Sequence, residues 1–124
     1  MINNEKAIGD RYFAVFQLKN IGTDEAIKCM MAGYEHCGNS ILLKHELLYA
    51  LGQLPPTSYA LVRHFLITKM EDEGENNLSR HEAAEALSNY FDPLILEYYE
   101  KHLHSPCKEL QYTCMIAVEK IKRT

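Results

Sequence analysis

Hydrophobic residues recur every three or four positions along most of the chain, which is the spacing of amphipathic helices. The clearest case lies in residues 42–54, where one helical face is apolar throughout: Leu43, Leu47, Ala50, Leu51 and Leu54. A matching face follows later in the chain, with Ala83, Leu87, Tyr90 and Phe91. The pattern therefore predicts an all-α protein.

Glycine, proline and capping residues divide this pattern into separate helices. A first helix is predicted over residues 10–22, closed by Gly22 in the left-handed conformation, and Thr23 opens a second. Pro55 ends the third helix, because proline cannot donate the next backbone hydrogen bond. Thr57 or Ser58 is predicted to cap the helix that follows.

The acidic segment 71–77 has no apolar periodicity, so it is predicted to be a solvated linker. Just after it, Ser79 and Glu82 have the spacing of a capping box, in which each side chain accepts a backbone N–H of the other residue. This gives Glu82 a purely structural interpretation. A last helix is predicted to begin near residues 105–106, with an apolar face turned inward: Leu110, Cys114, Ala117, Val118 and Ile121.

The helices also show internal similarity. Aligning four of them on Arg11, Lys44, Arg80 and Lys108 places two sets of mostly apolar residues in columns: Leu18, Leu51, Leu87 and Met115, and then Ile21, Leu54, Tyr90 and Val118. Repetition every 30 to 40 residues or so, with two helices per unit, is typical of an α-solenoid of HEAT-like repeats. We therefore expect an α-α superhelix of about three to four helical hairpins, with residues 1–124 forming one domain.

Two of these helices carry the same dipeptide after a basic residue, as His45-Glu46 and as His81-Glu82. Each histidine is predicted to point away from the core, with its glutamate on the flank of the same exposed surface. Neighbours at i and i+1 cannot chelate from one helix, but equivalent helices in stacked repeats lie about 8 to 10 Å apart. His45 and His81 are therefore candidates to share one metal ion, with Glu46 or Glu82 supplying oxygen.

Two histidines and one carboxylate form a ligand set that suits non-haem iron, and zinc or manganese are less favoured alternatives. The remaining histidines do not repeat at equivalent positions of neighbouring helices, so we expect structural or surface roles for them: His36, His64, His102 and His104.

Composition narrows the functional classes. The chain has 124 residues and a formal net charge of −4, which argues against nucleic acid as the main partner and is compatible with a cationic ligand. No apolar run approaches the roughly 20 residues of a membrane span, and no signal peptide is recognisable. The four cysteines lack a C-x-x-C spacing, so we expect reduced thiols in a cytoplasmic protein.

Two stretches of the chain resemble deoxyhypusine hydroxylase. They are Lys44-His45-Glu46-Leu47 followed by residues 50–54, and Arg80-His81-Glu82-Ala83 followed by residues 85–87 and 92–93. This family consists of HEAT-repeat di-iron monooxygenases, and the similarity runs from about residue 10 to residue 122. The resemblance implies that His45, His81 and Glu82 are iron ligands. It also implies a catalytic and substrate-binding role for Glu46, which would orient the bound oxygen or hold the substrate amine.

The family's full chain has two such halves and four His-Glu pairs, whereas this chain has one half and two pairs. The resemblance therefore implies a homodimer or a separate second half-chain. The expected reaction is hydroxylation of the deoxyhypusine side chain on the hypusine-bearing translation initiation factor, with iron and O2. Two alternatives stay open: an inactive half or interaction module without redox chemistry, and a zinc or manganese hydrolase.

Overall fold

The computed structural model describes residues 14–38 and 40–123, and within these ranges every regular element is helical. Helix α1 is described over residues 14–21. It is followed by α2 (Asp24–Tyr34), α3 (Ile41–Leu51), α4 (Tyr59–Glu71), α5 (Asn77–Ser88), α6 (Leu96–Glu100) and α7 (Lys108–Arg123). The all-α prediction is confirmed, and the part of the first predicted helix before residue 14 lies outside the described residues.

Helix α5 lies at the centre of the structure. It packs against α3 on one side, against α7 on another, and against α4 from the second helical layer. Helix α2 contacts both α3 and α4, and α6 contacts α7. Consecutive hairpins therefore stack side by side, as an α-solenoid requires. Among the described helices, none has both the length and the apolar character needed to cross a membrane.

One continuous hydrophobic core runs from Val15 in α1 to Val118 in α7. The apolar face predicted for α3 is confirmed, because all five of its residues are buried. On α5, Ala83 and Leu87 are buried as predicted, but Phe91 is exposed. The reason is that Phe91 lies beyond the helix end with a positive φ of 54°, so the helical periodicity no longer applies to its side chain.

Only some of the residues in the two aligned columns are buried in the core. Met115 and Ile21 are exposed, although the alignment on the leading basic residues placed them in columns with the buried Leu51 and Leu54. The apolar face predicted for α7 is nevertheless confirmed, because Leu110, Cys114, Ala117 and Val118 are buried. Only the alignment on Lys108 is one position away from this buried face, because a solvated lysine does not fix which face of a helix is buried.

The predicted start of α2 is confirmed, since the Thr23 hydroxyl accepts the Ala26 N–H at 3.2 Å and Gly22 has a φ of +69°. The predicted cap of α4 is wrong. Ser58 has helical backbone angles and makes no capping bond, and a 3-10 turn over Pro56–Ser58 leads into the helix instead.

The predicted capping box of α5 is also wrong. Asn76 is the cap, and its side-chain oxygen accepts the Ser79 N–H at 2.8 Å. Helix α5 therefore begins two residues before Ser79, and Ser79 is buried inside its first turn. Glu82 lies in the second turn, where no orphan N–H needs its carboxylate, so its capping interpretation no longer applies.

The acidic segment 71–77 is not a plain solvated linker. Glu71 belongs to α4, and the Glu75 side chain is only 10% exposed. The Glu75 carboxylate accepts hydrogen bonds from the Tyr34 hydroxyl at 2.7 Å and from the Lys44 Nζ at 3.0 Å. The segment is therefore anchored to α2 and to α3, and it helps to hold the first His-Glu helix in position.

Candidate metal centre

Helices α3 and α5 approach each other closely at their C-terminal ends. Gly52, which follows α3, lies against Ala86, and a Cβ atom on Gly52 would be 2.7 Å from the Ala86 Cα. The Asn89 side-chain amide donates to the Gly52 carbonyl at 3.1 Å, and the Tyr90 hydroxyl donates to the Leu51 carbonyl at 2.5 Å. These contacts fix the relative register of the two helices that carry the His-Glu pairs.

This register brings the two motifs together. His45 Nε2 on α3 lies 3.0 Å from Glu82 Oε2 on α5. The His45 side chain is 48% exposed, as expected for a residue facing away from the core, whereas the Glu82 side chain is only 5% exposed. Glu82 was predicted on an exposed flank. It is buried because α5 has helices on both sides, so its flanks face neighbours and not solvent.

A second group of ligand atoms lies within α5 itself. His81, Glu82 and Glu85 each offer one nitrogen or oxygen atom, and these three atoms lie within 4.8 Å of one another. His81 Nε2 is 3.6 Å from Glu85 Oε2, one helical turn further on. His45 is outside this group of three and joins it through Glu82.

Glu85 was missed at the sequence level, although its i,i+4 spacing from His81 was a usable signal. The sequence analysis considered the i,i+1 pairs, which cannot chelate from one helix, and did not consider His81 with Glu85. Four residues after its histidine, α3 has Tyr49 where α5 has Glu85, so the similarity between the two helices gave no signal for Glu85.

His81 also contacts the next repeat. Its Nδ1 lies 2.5 Å from the hydroxyl of Thr113 on α7, and the Thr113 hydroxyl donates to the Glu109 carbonyl at 3.0 Å. Thr113 is buried and His81 is half-buried beside it. The imidazole is therefore held on one side by α7, while its Nε2 faces the carboxylates of α5.

The charges around Glu82 are unbalanced. Burial raises the pKa of the Glu82 carboxyl above its usual range, and the carboxylates of Glu85 and Glu46 raise it further. His45 and His81 act in the opposite direction. Three carboxyl groups thus share a region with two imidazoles, and this excess of acidic groups favours a divalent cation.

The donor set fits a transition metal, because imidazole nitrogen and carboxylate oxygen are ordinary ligands of iron, zinc and manganese. Glu46, which was assigned a catalytic and substrate-binding role, is half-buried on α3 and close enough to influence Glu82 electrostatically. The ligand roles of His45, His81 and Glu82 stay predictions, as does the role of Glu46.

Exposed apolar side chains surround this centre. On α3, Leu42 and Tyr49 lie within one turn of His45, and on α5 Leu78 lies within one turn of His81. On α7, Tyr112 and Ile116 are exposed and line a groove of about 260 Å³ together with His81 and Glu85. We call these five residues the apolar rim: Leu42, Tyr49, Leu78, Tyr112 and Ile116.

A larger cleft of about 720 Å³ lies elsewhere, lined in part by Arg80, Lys101 and His102. Its cationic groups already have partners, since Glu71 pairs with Lys101 at 3.0 Å and with His102 at 3.1 Å. Arg80 donates its Nε–H to the Met70 carbonyl. These contacts join helix ends and support the structural role expected for His102.

Comparison with known proteins supports the resemblance to one family. The chain is 35% identical over 120 residues to deoxyhypusine hydroxylase of Drosophila melanogaster and 31% identical over 122 residues to that of Homo sapiens. The solved structure of human deoxyhypusine hydroxylase in complex with glycerol matches with a TM-score of 0.83 and 33% identity over 94% of this chain. The chain is homologous to deoxyhypusine hydroxylase.

The homology to deoxyhypusine hydroxylase covers 97% of this chain in the fly alignment, but only 38% of the fly protein and 39% of the human one. The chain therefore spans about two fifths of the length of these relatives. No family model matches it. The HEAT-like helical fold is confirmed by the structural match to human deoxyhypusine hydroxylase, and the likeness that the His-Glu motifs indicated is confirmed by the named relatives.

Proposed function

We propose that the chain provides one half-site of a deoxyhypusine hydroxylase, formed by one domain over residues 1–124. The reaction would be hydroxylation of the deoxyhypusine side chain on the hypusine-bearing translation initiation factor, with O2 as oxidant. The observation that carries the proposal is the 3.0 Å contact of His45 with Glu82 across two repeats, in a chain homologous to this enzyme. Four cysteines that lack a C-x-x-C spacing are compatible with a reducing, cytoplasmic location.

His45, His81 and Glu82 would hold one iron ion, and Glu85 is close enough to His81 to contribute a further oxygen. Bound iron would supply the redox chemistry by which O2 is activated. Glu46 would accept charge-assisted hydrogen bonds from the ammonium group of the substrate side chain. The excess of acidic groups in the region favours both the metal cation and a cationic substrate over an anion.

A second half-site is part of the proposal, because the chain has two His-Glu pairs where the family has four. A homodimer with twofold symmetry would place two identical centres opposite each other. The apolar rim supports this arrangement, since exposed Leu42, Tyr112 and Ile116 would be covered by the facing copy. A covered face would also exclude water from the reacting groups. A separate second half-chain would cover the same surface.

The test is metal content after anaerobic reconstitution with Fe(II) and desalting. We expect wild type to retain iron and His45→Ala and His81→Ala to lose most of it. His64→Ala is the matched control, because His64 is an exposed histidine on α4 away from the centre. Unchanged iron content in both site variants would refute the ligand assignment.

The same preparations separate this proposal from the alternatives. A hydroxylase half-site would consume O2 when supplied with the substrate protein and a reductant. Zinc- or manganese-dependent hydrolysis without O2 uptake would indicate a hydrolase. A chain that binds no metal, and whose partner binding is indifferent to chelators, would be an interaction module or an inactive homologue.

A further inference from the structure

We propose that Thr113 on α7 is a positioning residue that selects the tautomer of His81, so that Nε2 is the nitrogen available to a metal ion. This inference rests on the proposed metal site, although its structural part does not require bound metal. Thr113 belongs to a different repeat from the His-Glu pairs, and it contacts the imidazole on the side opposite the carboxylates.

The tautomer follows from the number of protons available. A threonine hydroxyl has one proton, and Thr113 donates it to the Glu109 carbonyl at 3.0 Å, since a carbonyl oxygen can only accept. Toward His81 the hydroxyl then offers only lone pairs. The 2.5 Å contact with Nδ1 is a hydrogen bond only if Nδ1 carries the proton.

In the neutral ring this assignment leaves the lone pair on Nε2. Nε2 lies 3.6 Å from Glu85 Oε2, within the group of ligand atoms that includes Glu82. Metal-ligating histidines commonly donate their other ring N–H to a partner that fixes both the tautomer and the ring orientation. Thr113 would be that partner here, and its burial restricts water from taking its place.

The local structure keeps the hydroxyl in this orientation. Thr113 lies one turn after Glu109 in α7, and a threonine in a helix can bond the carbonyl four residues earlier. Thr113 is buried among residues packed between α5 and α7, so its side chain has little freedom to turn away. Serine would keep the hydroxyl, whereas valine would keep the shape and remove both hydrogen bonds.

The experiment uses long-range ¹H–¹⁵N correlations of the full metal-free chain, which distinguish protonated Nδ1 from protonated Nε2. We expect His81 in wild type and in Thr113→Ser to be protonated on Nδ1. In Thr113→Val we expect a mixture of tautomers. Fe(II) affinity, measured anaerobically on the same proteins, should fall about 10- to 100-fold in Thr113→Val and recover in Thr113→Ser.

Thr68→Val is the matched control. Thr68 makes the same hydrogen bond to the carbonyl four residues earlier, that of His64, but it is exposed on α4. The control should leave both the His81 tautomer and the Fe(II) affinity unchanged. Thermal unfolding of each variant would show whether any loss of affinity follows from loss of the fold.

Two results would overturn the inference: protonation of wild-type His81 on Nε2, or an unchanged tautomer and Fe(II) affinity in Thr113→Val. Failure of the proposed function gives a different result. If wild type bound no Fe(II) while His81 changed tautomer in Thr113→Val, the metal site would be refuted and the effect of Thr113 on the ring would be supported.

Discussion

The carboxyl group of Glu82 is buried between helices, with two further carboxyl groups, those of Glu46 and Glu85, nearby. Burying a charge costs free energy unless a partner of opposite charge offsets it. His45 is one such partner at 3.0 Å, yet burial still raises the pKa of Glu82 above its usual range. The side chain is therefore placed at a cost to the metal-free fold, which a bound cation would remove.

Native Glu82 binds its proton more tightly than the unfolded chain does, so the metal-free protein should lose stability as pH rises above the ordinary carboxyl value of 4.5. Glu82→Gln cannot ionise, so this loss should be smaller in the variant. We expect the metal-free variant to have the higher Tm at neutral pH and to retain less iron than wild type.

Thermal unfolding across the acidic to neutral range, in the presence of a chelator, measures the effect. Glu97→Gln, an exposed change on α6, should leave the pH dependence as it is in wild type. A metal-free Glu82→Gln protein with a lower Tm than wild type at neutral pH would contradict the prediction.

The sequence predicted His45, His81 and Glu82 as residues that meet, because the pairs repeat in register. It did not predict that Glu82 is buried or that Thr113 contacts His81. The Thr113 contact depends on the rotation of α7 about its axis. The apolar pattern of α7 predicted that Cys114 faces inward, but it gave no signal that the neighbouring Thr113 hydroxyl meets His81.

At the scale of elements, the close contact between Gly52 and Ala86 sets how α3 and α5 pack. An added methyl group at Gly52 would lie 2.8 Å from the Ala86 Cβ and 2.7 Å from its Cα, so the helices would have to separate. The two His-Glu pairs are carried by these same helices. Their distance apart therefore depends on a residue that has no side chain.

We expect Gly52→Ala to lower the free energy of unfolding by about 1 to 3 kcal/mol, the usual range for overpacking. It should also weaken Fe(II) binding, because His45 would move relative to Glu82. Gly33→Ala is the control, since a Cβ there meets nothing within 4 Å and alanine is the better helix former by about 1 kcal/mol. Urea unfolding compares the two, and equal or higher stability of Gly52→Ala would contradict the prediction.

The connection between α4 and α5 depends on Glu75. Burial by itself raises the pKa of this carboxyl, but hydrogen bonds from Tyr34 and Lys44 outweigh it and hold the pKa below its usual value. The unfolded chain therefore binds the proton more tightly. The stabilisation is present above the unfolded value of 4.5 and is lost as pH falls through the lower folded value.

Glu75→Gln should lower the free energy of unfolding at neutral pH by about 1.5 to 3 kcal/mol, the usual contribution of a hydrogen bond to a charged group. The difference from wild type should shrink in acid. Glu73→Gln, an exposed change two residues away, should have little effect at any pH. Urea unfolding at neutral and acidic pH tests this, and a difference that grows in acid would contradict it.

The start of α2 followed from Gly22 and Thr23, whose effects are local, whereas α3 ends at Leu51, before the proline that was predicted to end it. The linker prediction failed because the partners of Glu75 are distant in sequence: Lys44 is 31 positions away and Tyr34 is 41 positions away. An acidic segment has no local signal for a tertiary ion pair.

At the scale of the whole molecule, the proposed twofold dimer would cover the apolar rim. A twofold dimer predicts that a charge at the rim disrupts assembly, so Ile116→Glu should halve the molar mass measured by light scattering. Leu94→Glu is the control, because Leu94 is 82% exposed outside the rim. A wild-type monomer, or an Ile116→Glu protein that remains dimeric, would contradict this arrangement and favour a separate second half-chain.

Helix α5 packs against α3, α4 and α7, so breaking its backbone hydrogen bonds also requires separating it from these neighbours. The amides of α5 should therefore be among the last to exchange with deuterium, while those of the short α6 exchange earlier. His81, Glu82 and Glu85 all belong to this slowest segment. A site built there would keep its geometry through the local opening motions of the rest of the chain.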